Sequence, residues 1–390
     1  MRALLPSCRK RLGLYPVTYF WIPARDKVHS RSAIMKKASP RKPAHTVTTK
    51  DIADRTGLSK MTVSRVLNNH QYVSEETRCK VMAAVRELGF TPNTLAKRFF
   101  TGKTRLLGVV IPLEHMFSSY YFKELFQGVL ECAEEHGYDM LLNDSTSKRM
   151  PPLEKCRGLV KGKLVEGLLL AAPMTDDDYP LVLTREAVPL VVTGETACGE
   201  KVNRVGIPNR ACARDAVLRL AKLGHRRIAV LTFDEKHQES QERLAGYKDG
   251  LQAAGLPAAA DLVVPAHYSR REAFACAQRL LKAHPDVTAI FALNEGMAVG
   301  AADGLRSMGL NIPGDVSLVS FDDSAEIENY DPPISAIRQF PHKIGYSACK
   351  MLIGILEGEA RPRKPLSLMI DTEFMERSSM ASAPTKRSRR

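Results

Sequence analysis

From Leu106 onward the chain alternates between apolar runs of strand length and longer stretches with helical spacing. The runs are Leu106–Ile111, Tyr138–Leu142, Gly167–Ala171, Leu190–Thr193, Ile228–Thr232, Leu262–Val264, Ala289–Leu293 and Val316–Phe321. Between them lie amphipathic stretches such as Lys123–His136, Ala211–Leu223, Gln241–Ala254, Arg271–Ala283 and Gly296–Met308. Repeated strand–helix–strand alternation is the pattern of parallel strands joined by helical crossovers. This pattern therefore predicts an α/β fold of parallel sheets with helices on both faces. A span of about 270 residues is large for one such sheet, so two similar lobes are expected. Ligands of this architecture bind beyond the carboxyl ends of the strands.

The net charge of +14 is confined to the amino-terminal end. Residues 1–45 hold eleven Lys/Arg and one Asp, residues 46–100 hold nine and five, and residues 101–390 hold 37 of each sign. A neutral body with a basic end suggests a polyanion partner at that end. Residues 1–45 are broken by Pro6, Pro16, Pro23, Pro40 and Pro43 and lack periodicity, so a disordered basic arm is expected. Met35 opens MKKASPRKP, the kind of start that precedes a folded domain, and residues 1–34 read as a gene-start artefact or an arm. Residues 379–390, ending KRSRR, read as a loose basic tail. Eight scattered cysteines without a C-x-x-C or a Cys/His cluster argue against a metal site and a disulfide framework, and fit reduced thiols in a cytoplasm. No apolar stretch is long enough to span a membrane. The phosphate-binding, zinc-protease and nucleophile-elbow motifs are absent, so neither catalytic residues nor a cofactor is expected.

Residues 46–100 read as three short helices and a fourth element, Asn93 to Phe99 or Phe100, which Pro92 allows. Thr48 or Thr49 caps the first, through Arg55, and Gly57 supplies the turn. Ser59 caps a second, from Lys60 to about Leu67. Ser74 caps a third, with Glu75 and Glu76 in its first turn, and Gly89 ends it. At 100° per residue, Val63, Val66 and Leu67 share one side of the second helix. Met61 and Arg65 lie opposite, flanked by Lys60 and Ser64. That side suits a major-groove reader, since arginine can bind guanine bidentately and an apolar atom can meet the thymine methyl. Thr48, Thr49 and Lys50 are placed to meet phosphates. A small bundle with a solvated face would show the same amphipathicity; the placement of charge favours DNA.

The run Val47–Thr104 (VTTKDIADRTGLSKMTVSRVLNNHQYVSEETRCKVMAAVRELGFTPNTLAKRFFTGKT) resembles the DNA-binding headpiece and hinge of the lactose/galactose repressor (LacI/GalR) family. Further similar pieces are Gly108–Pro112, Gly224–Val230, Arg243–Tyr247, Asp315–Asp323, Pro332–Ser335 and Glu376–Ser378. The resemblance implies an all-α helix-turn-helix headpiece (46–92), a hinge helix and linker (93–104), and a two-lobed core like periplasmic sugar-binding proteins (105–378). It implies a homodimeric transcription regulator, commonly a repressor, on a pseudo-palindromic operator in double-stranded DNA. Ser59, Lys60, Met61, Thr62, Ser64 and Arg65 then occupy base- and phosphate-contacting positions, and Asn68 a backbone-contacting one. Asn93–Phe99 resembles the helix that enters the minor groove, with Ala96 where two copies approach. Phe99 departs from the family's usual leucine wedge, although an aromatic can still unstack a base step.

The resemblance also implies an effector site at Arg243, Tyr268, Asn294 and Asp322. Arg243 would clamp hydroxyls or a carboxylate, Asn294 offers both donor and acceptor, Asp322 would accept from sugar hydroxyls, and Tyr268 would stack. Asn294-Glu295 departs from the family's common Asn-Asp, and Ala273 stands where glycine is common. His237 and Glu239 fall on the loop that helps choose the ligand. A sugar is the default effector, with purines and other small metabolites left open. The other classes weighed are a secreted sugar-binding receptor, which would need a signal peptide and no headpiece, and a non-specific DNA binder.

Overall fold

The computed structural model describes residues 47–67, 72–90, 103–113, 119–146, 149–358 and 364–385. They fall into two compact units, one within Met1–Pro92 and one within Asn93–Arg390. Asn68, the hinge residues Asn93, Ala96 and Phe99, and the arm 1–45 lie outside the described residues.

The first unit holds α1 (Thr49–Thr56), α2 (Lys60–Leu67) and α3 (Glu75–Leu88). The starts of all three, and the ends of α1 and α3, fall on the residues expected to punctuate them. Ahead of α1, the Thr48 backbone N–H donates to the Asp51 carboxylate at 2.7 Å. The Ser59 hydroxyl accepts from Thr62 N–H at 3.1 Å, and Ser74 likewise receives Thr77 N–H at 3.4 Å. Gly57 takes φ 69 after α1, a left-handed turn that costs glycine nothing. The three helices bury Ile52, Ala53, Val63, Val66, Val81 and Ala84 against one another. Each large aliphatic there contributes roughly 1.5–3 kcal/mol. The Arg55–Glu87 ion pair at 2.9 Å joins α1 to α3, but both partners are more than half exposed, so it adds at most about 1 kcal/mol.

The second unit is built on two sheets, each of six strands among the described residues. One contains β1 (Leu106–Ile111), β2 (Asp139–Asp144), β3 (Gly167–Ala171), β4 (Leu190–Thr193), β5 (Arg204–Gly206) and β11 (Ser367–Met369), in the order β11-β5-β4-β3-β1-β2. The other contains β6 (Ile228–Thr232), β7 (Val263–Pro265), β8 (Ala289–Ala292), β9 (Ser317–Phe321), β10 (Ser335–Arg338) and β12 (Glu373–Met375), in the order β12-β10-β9-β8-β6-β7. Pairing is parallel throughout except for β10 with β12. The central strands β3, β4, β6, β8 and β9 are buried at every position, which explains why their sequences are apolar apart from small hydroxyl residues such as Ser317 and Ser320.

The expected helices form as α4 (Tyr120–Glu135), α7 (Asn209–Lys222), α8 (Gln238–Ala253), α9 (Arg270–Ala283) and α10 (Glu295–Ser307). Helices α5 (Pro152–Lys161), α6 (Tyr179–Arg185), α11 (Ala325–Glu328) and α12 (Pro341–Glu357) go beyond those read from the pattern. Helix α12 leaves the second lobe and packs on α4 and the sheet of the first. The chain thus passes between lobes after β5, after β10 and between β11 and β12.

The chain does not leave the core as a loose tail at residue 379. Ser379 is fully buried. Its hydroxyl donates to the Leu318 carbonyl at 2.6 Å and accepts from Ser335 N–H at 2.8 Å. The Ala381 carbonyl lies 3.0 Å from His225 Nε2, and Ala383 N–H donates to Leu223 at 2.8 Å. The cause is polar satisfaction: buried groups at Ser335, Leu318 and His225 need partners, and the terminal segment supplies them. Residues 386–390 lie outside the described residues.

Helices α4 and α12 meet backbone to backbone. A Cβ on Gly345 would fall 1.9 Å from the Leu125 carbonyl oxygen, and one on Gly128 would fall 2.0 Å from that of His342. Gly158, exposed on α5, has nothing within 4 Å of such a Cβ. Gly345→Ala should therefore cost about 1–3 kcal/mol or more in denaturant unfolding. Gly158→Ala should gain up to about 1 kcal/mol through helix propensity alone. Equal effects would contradict the packing described.

Candidate functional site

Two sets of residues carry chemistry, one in each unit. In the first unit, burial divides α2 into two faces. Val63 and Val66 are 0% and 3% exposed, whereas Met61 is 65% exposed. Lys60, Ser64 and Arg65 are exposed beside it, as are Thr48, Thr49 and Lys50 at the start of α1. Ser59 is exposed and Thr62 half-buried, their hydroxyls 2.9 Å apart. One wall of a short helix thus presents two cations, a hydroxyl and a thioether, while its opposite wall holds the helix in the bundle. An exposed methionine of this size serves no core.

In the second unit, a cavity of about 140 Å³ opens at the carboxyl ends of the strands. Arg243, Tyr268, Asn294 and Asp322 all line it, together with Ser119, Tyr121, Phe122, Ala172, Glu239 and Glu295. Arg243 on α8 is 6% exposed. Its Nε donates to Asn209 Oδ1 at 2.8 Å and its Nη1 to the Leu293 carbonyl at 2.7 Å. The guanidinium carbon sits 3.7 Å from the Phe321 ring centroid. Asn294, two residues beyond β8, caps α10, its Oδ1 accepting from Met297 N–H at 2.8 Å. Tyr268 stands on left-handed backbone, φ 58, with its ring 4.1 Å from that of Phe233.

Asp322 follows β9 with φ 84, a strained conformation for a residue with a side chain. It accepts from Gln339 Nε2, and its Oδ1 is 4.0 Å from Arg243 Nη1. The neighbouring Asp323 turns elsewhere and is held by Arg377 at 2.6 Å and Arg338 at 2.7 Å. Burial pushes the Asp322 carboxyl up to about 7 despite the pull of Arg243. Burial likewise raises Glu239 to about 7 and raises Glu295.

Sequence reasoning brought the four polar and aromatic groups of the second lobe together but missed the wall from the first. Ser119, Tyr121 and Phe122 start the helix after β1, at that strand's carboxyl end. Topology pointed to this place even though the residue types did not. Asn209 and Gln339, which hold Arg243 and Asp322, carried no local signal. Among the described residues no cluster of His, Cys, Asp and Glu suits a metal ion, and no helix is long and apolar enough to cross a membrane.

Asp322 and Glu239 bind protons more tightly folded than unfolded. Their contribution to stability is complete below their ordinary values of 3.8 and 4.5 and is lost as pH rises through about 7. The core should therefore melt lower at pH 8 than at pH 6, and the pair Asp322→Asn, Glu239→Gln should shrink that difference. Calorimetry that finds the same difference in the variant would refute the assignment.

Comparison with known proteins agrees with both halves of this picture. The model of bacterial regulatory proteins of the lacI family matches residues 48–93, and that of a periplasmic binding protein-like domain matches residues 217–380. The chain is 32% identical over 332 residues to the HTH-type transcriptional regulator CelR of Thermobifida fusca, spanning 84% of this chain and 96% of that one. A CelR–cellobiose complex superposes with TM-score 0.66 at 31% identity, covering 86% of this chain and 100% of the other. A Lac repressor dimer bound to operator and the anti-inducer ONPF superposes with TM-score 0.78 at 25% identity, covering 86% and 99%. An exposed polar wall on a small helical bundle, a two-lobed α/β body with a polar cavity, and relatives matched over nearly their whole length together establish that this chain belongs to the lacI family of bacterial regulatory proteins and is a DNA-binding transcriptional regulator.

Proposed function

We propose that the chain is a cytoplasmic homodimeric repressor whose grip on a pseudo-palindromic operator is set by a sugar held in the core cavity, and that it catalyses no reaction. On this reading residues 46–92 are the reading head, 93–104 the hinge and 105–378 the effector-binding and dimerising body. The observation that carries it is the exposed wall of α2. Lys60, Met61, Ser64 and Arg65 would face base edges, and Ser59, Thr62, Thr48, Thr49 and Lys50 the phosphates. Asn68, Asn93, Ala96 and Phe99 are assigned from sequence alone, the last three to a hinge in the minor groove.

The sugar reading rests on the cavity's chemistry. Tyr268 offers a ring for the apolar face of a pyranose, and Asp322, Asn294 and Arg243 offer polar groups for its hydroxyls. The CelR structure, a cellobiose complex, gives a relative with a sugar bound. The carboxylates serve binding rather than acid–base chemistry, since Asp322 is engaged by Gln339 and Glu239 by the Glu195 backbone. Effector and operator would be coupled reciprocally by about 1–3 kcal/mol.

Selection from random DNA should enrich an inverted repeat. Arg65→Ala should weaken the selected site by about 1–3 kcal/mol and flatten preference at one base per half-site. Uniform binding to all sequences would sink the operator reading. A sugar panel should yield one member that shifts operator affinity about 5–150-fold, and Asp322→Ala should abolish that shift. A panel in which only non-sugar metabolites act would replace the effector class.

A further inference from the structure

The cavity has a wall from each lobe, and two of its carboxylates reach from the second lobe to the first. Glu239, in the first turn of α8, accepts from the backbone N–H of Glu195 at 3.1 Å. Glu195 follows β4 of the opposite lobe. Glu295, the first residue of α10, accepts from the backbone N–H of Tyr120 at 3.1 Å. Tyr120 is the first residue of α4, again in the opposite lobe. We infer that Glu239 and Glu295 are latch residues that hold the two lobes closed over the cavity by gripping backbone donors across the cleft.

Two local features fit this role. Gly194 precedes the gripped amide with φ 88, and a Cβ there would lie 2.3 Å from Glu239 Oε1. The backbone is bare where the latch lands. At the other latch, Ser119 stands at the N-cap of α4 but makes no side-chain cap bond. Tyr120 N–H, one of the amides at the helix start that have no partner within the helix, is met by a carboxylate from the facing lobe. The other Glu295 oxygen is buried with no hydrogen-bond partner among the described residues. Both latches line the cavity, so a ligand touches the groups that close it. A third contact crosses nearby through backbone alone: Thr175 N–H donates to the Lys236 carbonyl at 2.7 Å, beside the Met174–His237 bridge. Neither latch side chain takes part in that bond, which makes it an independent reporter of closure.

The test is amide hydrogen exchange on the full chain, without DNA or effector, so its outcome is independent of the operator and sugar readings. Glu239→Ala with Glu295→Ala should speed exchange at least tenfold at Thr175 as well as at Tyr120 and Glu195. The amides of Leu168–Leu170 in β3 should stay protected. Glu239→Gln with Glu295→Gln keeps an acceptor oxygen at each position and should retain protection at Thr175. If the alanine pair does not fold, Glu239→Asp with Glu295→Asp, each too short to reach, carries the same expectation. Unchanged exchange at Thr175 in the truncated pair, or glutamine variants that open like the alanine ones, would overturn the latch.

Discussion

A guanidinium taken out of water costs several kcal/mol unless its donors are engaged and its charge is answered. Arg243 meets that condition where the strands of the second lobe end. Its Nε is bound to Asn209, its Nη1 to the carbonyl of Leu293, and its carbon lies over the ring of Phe321. These contacts join the start of α7, the end of β8 and the end of β9 to α8. Asn294 and Asp322 lie just beyond two of those strands, so their positions follow from the engagement of one cation. The carboxylates around the cavity outnumber that cation. Burial outweighs the attraction of Arg243 at Asp322 and Glu239, neighbouring carboxylates add a smaller push in the same direction, and both hold protons near neutrality.

What could be read from the residues depended on whether the signal was local. Caps and glycine stops are local, and the starts of α1, α2 and α3 and the ends of α1 and α3 fell at Thr48, Ser59, Ser74, Gly57 and Gly89 as expected. Fully buried strands are local too, because parallel packing on both faces leaves a mostly apolar run. The short strands β5, β10, β11 and β12 depend on neighbours distant in sequence and show little of themselves in four residues or fewer. Helix α12 has plain i, i+3, i+4 spacing in Ile344, Gly345, Ala348, Cys349, Leu352 and Ile353. Its place against the first lobe depends on Gly128 in another helix, which no window of sequence contains.

The cavity divides in the same way. Arg243, Tyr268, Asn294 and Asp322 were legible through resemblance and do converge. The donors that Glu239 and Glu295 grip are backbone amides, and a backbone amide has no letter in the sequence. The segment after Ser378 misled for a related reason. Its composition is polar, yet its main chain and one serine hydroxyl are what Ser335, Leu318 and His225 require.

The strand exchange between lobes bears on the order in which the molecule can be made. The three amino-terminal helices are complete once residue 90 has left the ribosome. The first lobe begins at β1 but waits for α12 and for β11, whose residues 367–369 pair with β5. Domains emerging from synthesis fold as units, amino-terminal first. The nascent chain therefore owns a finished three-helix bundle while the first lobe is still missing a strand and a covering helix, and the first-lobe wall of the cavity is braced last.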